Sequence, residues 1–244
     1  MRSIYFKELN SFLSSVVGYV VLLVFLIVLG LFLWILPDSS FFAFEYASME
    51  PFFSITPWLL LFLIPAITMR SFSDEYKSGT IEWLMTQPLS LNQIFGGKFW
   101  ASFTLVIIAL IPTLIYVFGI NWLAIDNTTL DFGAVLGAYI GLLLLVASFT
   151  AIGVFCSALT NNQIVGFLLA VILCWLLYSG FEAISRIPAF AGGADYYIQL
   201  LGMDWHYNAI NRGVLHTRDI IYFLSITFLF WQAAIIVLKR RILV

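Results

Sequence analysis

Six long apolar runs divide this chain, at residues 16–36, 52–69, 99–118, 133–157, 164–181 and 220–238, and none contains Asp, Glu, Lys, Arg or His. At ~1.5 Å rise per residue, a run of about 21 residues spans ~31 Å, the thickness of a bilayer's hydrocarbon core. The runs therefore predict a polytopic membrane protein. The missing charge constrains function too. Chains that move ions, or do chemistry inside the bilayer, keep an ionisable group there despite its cost. Here the driving energy is expected from elsewhere.

Only 10% of the residues are charged, against about 25% in soluble domains, and the mean hydropathy is +1.03. The longest polar-leaning stretch, 182–219, is shorter than the ~50 residues of a small folded domain. Residues 1–244 are expected to form one transmembrane domain, all-α with six spans. Cys156 and Cys174 fall inside runs and lack metal-ligand spacing, so they read as small buried hydrophobes. The first run is too long for a signal-peptide core and reads as a retained helix.

Lys and Arg set the orientation. With six spans, one side holds Arg2, Lys7, Arg70, Lys77, Lys98, Lys239, Arg240 and Arg241; the other holds Arg186, Arg212 and Arg218. Both termini are expected in the cytoplasm. Before the first span, Tyr5, Leu9, Phe12, Leu13 and Val16 share a helical face, which predicts an amphipathic interfacial helix over residues 3–15. Pro57, Pro65 and Pro112 predict kinks. Gly133, Gly137 and Gly141 stand four apart, a spacing that lets helices approach closely; packing within the chain is favoured over a subunit contact. The aromatic-rich segment 182–219 predicts short outer helices dipping into the interface, and Phe41, Phe42, Phe44 and Tyr46 give the first outer loop a similar character.

One cytoplasmic loop, 70–98, stands apart. Gly79 permits a sharp turn, Thr80 is placed to cap a short helix over 81–85, and Glu82 sits in its first turn against the dipole. Pro88 stops that helix, and Ser90 with Gln93 makes a capping box for the next. A helix this short is unstable alone. With Ile81, Trp83, Leu84 and Met85 on it, it requires a partner surface or the membrane.

The run from Glu75 to Ser90, EYKSGTIEWLMTQPLS, followed by Gly97-Lys98-Phe99, resembles the loop of ABC-2 type transporter permeases, approximately ExxxGTxExLxTxPxS with GKF beyond. The opening Phe6-Lys7-Glu8-Leu9 and the segment from His206 to Asp219 resemble the same family, and within it the permease subunits associated with gliding motility. The resemblance implies a type V exporter-like bundle in the bacterial inner membrane, two permease subunits paired, and separate ABC ATPase subunits gripping a coupling helix. By carry-over, Glu75, Gly79, Thr80, Glu82, Trp83, Leu84, Met85 and Pro88 form the docking element. Trp83, Leu84 and Met85 are its apolar contacts, and Glu75 and Glu82 meet basic groups or helix ends of the partner.

The chain itself offers no phosphate-binding loop: Asn92 and Phe99 replace the first glycine and the hydroxyl around Gly97-Lys98. It is expected to bind no cofactor, ATP and Mg²⁺ belonging to the ATPase, and to be no enzyme. Glu45, Glu50 and Asp204 read as solvated loop acids, and His206 and His216 are not spaced as metal ligands. A secondary transporter would need midplane polar groups and broken helices in repeated halves. A membrane enzyme would need a nucleophile–base pattern. A scaffold subunit of a larger motility or secretion machine stays open beside the transporter reading.

Overall fold

The computed structural model describes every residue except 38, 39, 44–47, 124–129, 189–192, 243 and 244. Phe44, Glu45 and Tyr46 of the first outer loop lie outside the described residues, as does the side chain of Met85.

The described residues form helices and no strand. The first, α1 (Arg2–Leu13), is separate from the first span, α2 (Val16–Trp34). Ser15 makes the break: it is extended (φ −91°, ψ 136°), and its hydroxyl accepts from the Gly18 amide at 3.0 Å. The chain doubles back so tightly that a Cβ at Gly18 would lie 2.3 Å from the Phe12 carbonyl oxygen. So α1 is not a straight extension of α2. It lies against α6 (Leu91–Leu110), with Ile4 buried and the Tyr5 hydroxyl donating to Thr104 Oγ1 at 3.1 Å.

Among the described residues six helices are long and apolar enough to cross a membrane, in agreement with the apolar runs. The second, α3 (Glu50–Thr68), continues through Met69 into α4 (Arg70–Lys77). The third comprises α6 and α7 (Leu114–Leu123), joined by a 3-10 turn, Ile111–Thr113, around Pro112. The fourth, α8 (Phe132–Leu159), is the most enclosed and packs against helices of four other spans. The fifth is α9 (Gln163–Trp175), a π-turn at Leu176–Gly180, and α10 (Phe181–Ser185). The last is α13 (Thr217–Ile242).

Small residues on α8 serve packing within this chain. A Cβ at Gly141 would meet Ile210 Cγ2 at 2.5 Å, and one at Gly153 would meet Thr68 Oγ1 at 2.2 Å. Gly137 faces the backbone of Gly213, whereas Gly133 meets only the Asp131 carboxylate that caps its own helix. Pro57 and Pro65 leave α3 continuous. Pro57 has no amide to offer the Phe53 carbonyl one turn back. The Tyr207 hydroxyl donates to that oxygen at 2.8 Å, so α12 (Met203–Asn211) fills the bond the proline removes.

Candidate functional site

The loop between the second and third spans starts from a rigid base. Ser157 of α8 accepts from the amides of Phe72 (3.0 Å) and Ser73 (3.3 Å) and donates to the Met69 carbonyl at 3.0 Å. These bonds hold the junction of α3 and α4 at Met69, whose backbone stays helical (φ −55°, ψ −28°). Gln163 donates to Asp74, and the Arg241 guanidinium lies 4.3 Å from the centre of the Tyr76 ring, so the loop is also tied to α9 and α13.

Gly79 then reverses the chain with φ +71°, a conformation that strains any side-chain-bearing residue. The helix α5 (Thr80–Thr86) follows, a residue earlier than the expected 81–85. Thr80 is therefore not its cap. Gly79 occupies the cap position without a side-chain bond, and the Thr80 hydroxyl pairs instead with that of Ser78 at 2.9 Å. Glu82 stands in the first turn, as expected, and is exposed. Beyond exposed Pro88, Ser90 and Gln93 make both bonds of the capping box, at 3.3 and 3.2 Å.

The apolar residues of α5 divide between two faces. Leu84 is 7% exposed and joins Ile4, Phe72, Ile94 and Phe95 in a core at the end of the bundle that carries both termini. Trp83 is 68% exposed. Thus Leu84 holds the helix down while Trp83 is presented outward.

Glu75 faces inward. It is 7% exposed, and its Oε1 takes Lys98 Nζ and Lys7 Nζ, each at 3.0 Å. The basic groups it meets are thus in its own chain. Lys98 also reaches Glu8 at 2.8 Å, donates to the Ser71 carbonyl, and lies over the Phe72 ring. Its ammonium is fully enclosed, a state tolerated because every donor finds an acceptor. Burial lowers the Lys7 pKa, but the bond to Glu75 and the fields of Glu75 and Glu8 outweigh that, so its net displacement is upward. The cluster binds α1, α4 and α6 into one footing beneath α5. Sequence reasoning missed it. The available signal was a lone lysine opening an apolar run, treated there as a failed phosphate loop.

At the opposite end, α11 (Ala194–Gln199) and α12 realise the expected short helices. His206 is buried, with Nδ1 2.6 Å from Asp219 Oδ1 and Nε2 3.0 Å from the Leu200 carbonyl. The ring stacks on Tyr222 at 3.9 Å. Beside this clasp, Tyr178, Glu182, Asp204 and Trp205 line a cavity of about 460 Å³. Asp204 is not simply solvated: burial, then the Glu182 charge, raises its pKa, and hydrogen bonds from Tyr178 and Asn208 oppose the rise. Among the described residues no group of three His, Cys, Asp or Glu side chains is placed to hold a metal.

A family model described as ABC-2 family transporter protein matches residues 3–233 of the chain. A search among curated proteins finds no match.

Proposed function

The chain belongs to the ABC-2 transporter family, and on that premise we propose that it is the membrane-spanning permease subunit of an ATP-binding-cassette transporter. A separate ATPase subunit docks on α5 and works the bundle, which binds no nucleotide itself. The exposed Trp83, carried on a helix that Leu84 fastens to the core, is the observation that carries the reading. A buried aromatic anchor dominates interface energy, and here it stands free at the tip of a firmly held loop. Gly79 sets the angle of the helix. Thr80, Glu82, Met85 and Pro88 complete the docking element, and Glu75 belongs to it as its footing.

The termini and α5 face the cytoplasm in this proposal, because eight of the eleven Lys and Arg residues flank that end. The protein sits in the bacterial inner membrane and pairs with a second permease subunit. Gliding motility is the process it serves, on the strength of the sequence resemblance alone; a deletion strain that spreads normally overturns that assignment.

Trp83→Ala tests the docking role. Recovery of the ATPase subunit with the tagged permease falls at least about tenfold, the scale of one interface hot spot, while the bundle's thermal midpoint stays unchanged. Undiminished recovery ends the proposal. Leu84 is the poorer probe, because truncating it loosens the core. Orientation is checked separately in intact cells. A cysteine replacing Tyr197 reacts with an impermeant thiol reagent and one replacing Ser78 does not; both native side chains are exposed.

A further inference from the structure

Two buried polar atoms beside the footing have no partner: Glu75 Oε2 and Arg70 Nε. The first is an acceptor, the second a donor. Leaving such atoms unpaired is costly, so native proteins rarely do it without an occupant. Both residues line one cavity of about 170 Å³ between α1, the start of α2, α3, α4 and α6.

The cavity has two kinds of wall. Phe12, Ile67 and Leu105 form an apolar side, facing the charged side of Glu75 and Arg70. It lies where the apolar stretches of the spans give way to charge, with the amphipathic α1 as one wall. In a bilayer this is headgroup depth. Charge selects the ligand class. In the lining Lys7 and Arg70 stand against Glu8, Asp74 and Glu75, and Lys98, enclosed behind the wall and paired with Glu8 and Glu75, brings the six to neutrality. A neutral site gives a net anion no Coulombic advantage. It suits a zwitterion whose positive end donates hydrogen bonds and whose negative end accepts them.

We propose that this cavity binds the headgroup of an aminophospholipid, with its primary ammonium on Glu75 Oε2 and its phosphate on Arg70 Nε. Glu75 is suited to the ammonium because both lysines occupy its other oxygen. A choline headgroup has no N–H to donate, and a glycerol headgroup brings an uncompensated negative charge. The apolar wall receives the first part of the acyl chains. The site shares Glu75 with the footing of α5, but it needs no ATPase for its lipid preference and requires only that the bundle span a membrane.

The test uses the purified full chain in mild detergent, offered dioleoyl-phosphatidylethanolamine, -phosphatidylcholine or -phosphatidylglycerol, with bound lipid read by native mass spectrometry. The ethanolamine lipid is retained about tenfold better than either other, the scale of one hydrogen bond to a charged group. Arg70→Gln abolishes the preference and leaves the lysine–glutamate network standing; Glu75→Gln abolishes it too, but also weakens the footing. Soluble phosphoethanolamine at equal concentration does not displace the lipid. Equal retention of the three lipids, preference for the glycerol lipid, or a preference that survives Arg70→Gln overturns the proposal. Displacement by the soluble headgroup overturns it for a lipid and assigns the cavity to a free solute.

Discussion

The two ends of the bundle solve one problem differently. Each fastens short helices to the spans with buried polar groups. At the end carrying the termini, the fastener is a network of two lysines and two carboxylates joining α1, α4 and α6. At the other, it is the His206–Asp219 pair together with the Tyr207 bond to the carbonyl that Pro57 frees. The network shares several charges, so losing an exposed member is mild and losing the enclosed one is severe. The pair has no such redundancy, although Arg218 lies 3.6 Å from Asp219. The loop that bears Trp83 therefore rests on the better-braced end.

The comparison breaks first at Lys98. Lys98→Met leaves Glu8 and the buried Glu75 sharing the exposed Lys7 and is expected to cost about 3–5 kcal/mol in denaturant unfolding of the purified chain. Lys7→Ala, at a side chain 61% exposed, is expected to cost under about 1 kcal/mol. Equal effects of the two would show that burial does not set the hierarchy. The upward displacement of Lys7 makes its small contribution complete below the ordinary value of 10.5 and lost as pH climbs through its folded value.

Next comes the opposite end. His206→Leu leaves Asp219 with one charged neighbour, and a cost of about 2–3 kcal/mol is expected. It shows as faster proteolysis within 194–219 while the 70–98 loop keeps its protection. Cleavage that accelerates equally in both loops would mean that the ends are not independent.

The smallest effect sharpens the electrostatics. The Asp204 pKa is raised, so the folded state resists its ionisation, and that penalty appears as pH rises through the folded value. Asp204→Asn is expected to raise the thermal midpoint slightly at pH 7.5 and to leave it unchanged near pH 3, where both folded and unfolded chains hold the proton. A lowered midpoint at pH 7.5 would make Asp204 a stabilising anion.

Much of the framework was legible in one dimension. The six spans followed from run length, and the capping box at Ser90 from residues three apart. The turn at Gly79 followed from the one residue type tolerant of positive φ. Gly141 was recognisable as a packing residue, though Ile210 as its partner was not. The residues proposed to dock the ATPase were legible only as a set. That Trp83 faces out and Leu84 in depends on Phe72, Ile94 and Phe95, which no periodicity within seven residues reveals. Glu75 was expected to meet basic groups of a partner, because the family resemblance placed it in the docking element; that the basic groups are Lys7 and Lys98 of its own chain was not legible.

The sequence by itself determined that this chain crosses a membrane six times and that Ser90 caps the helix leading into the third span, because hydrophobic length and capping act over a few neighbouring residues. Only the tertiary structure decided which charges meet. Lys98 and Glu8 are 90 positions apart and Lys7 and Glu75 are 68 apart, and their pairing follows from how α1 lies across α4 and α6. Buried charge is stable only with its partner in place, and that geometry belongs to the packed bundle.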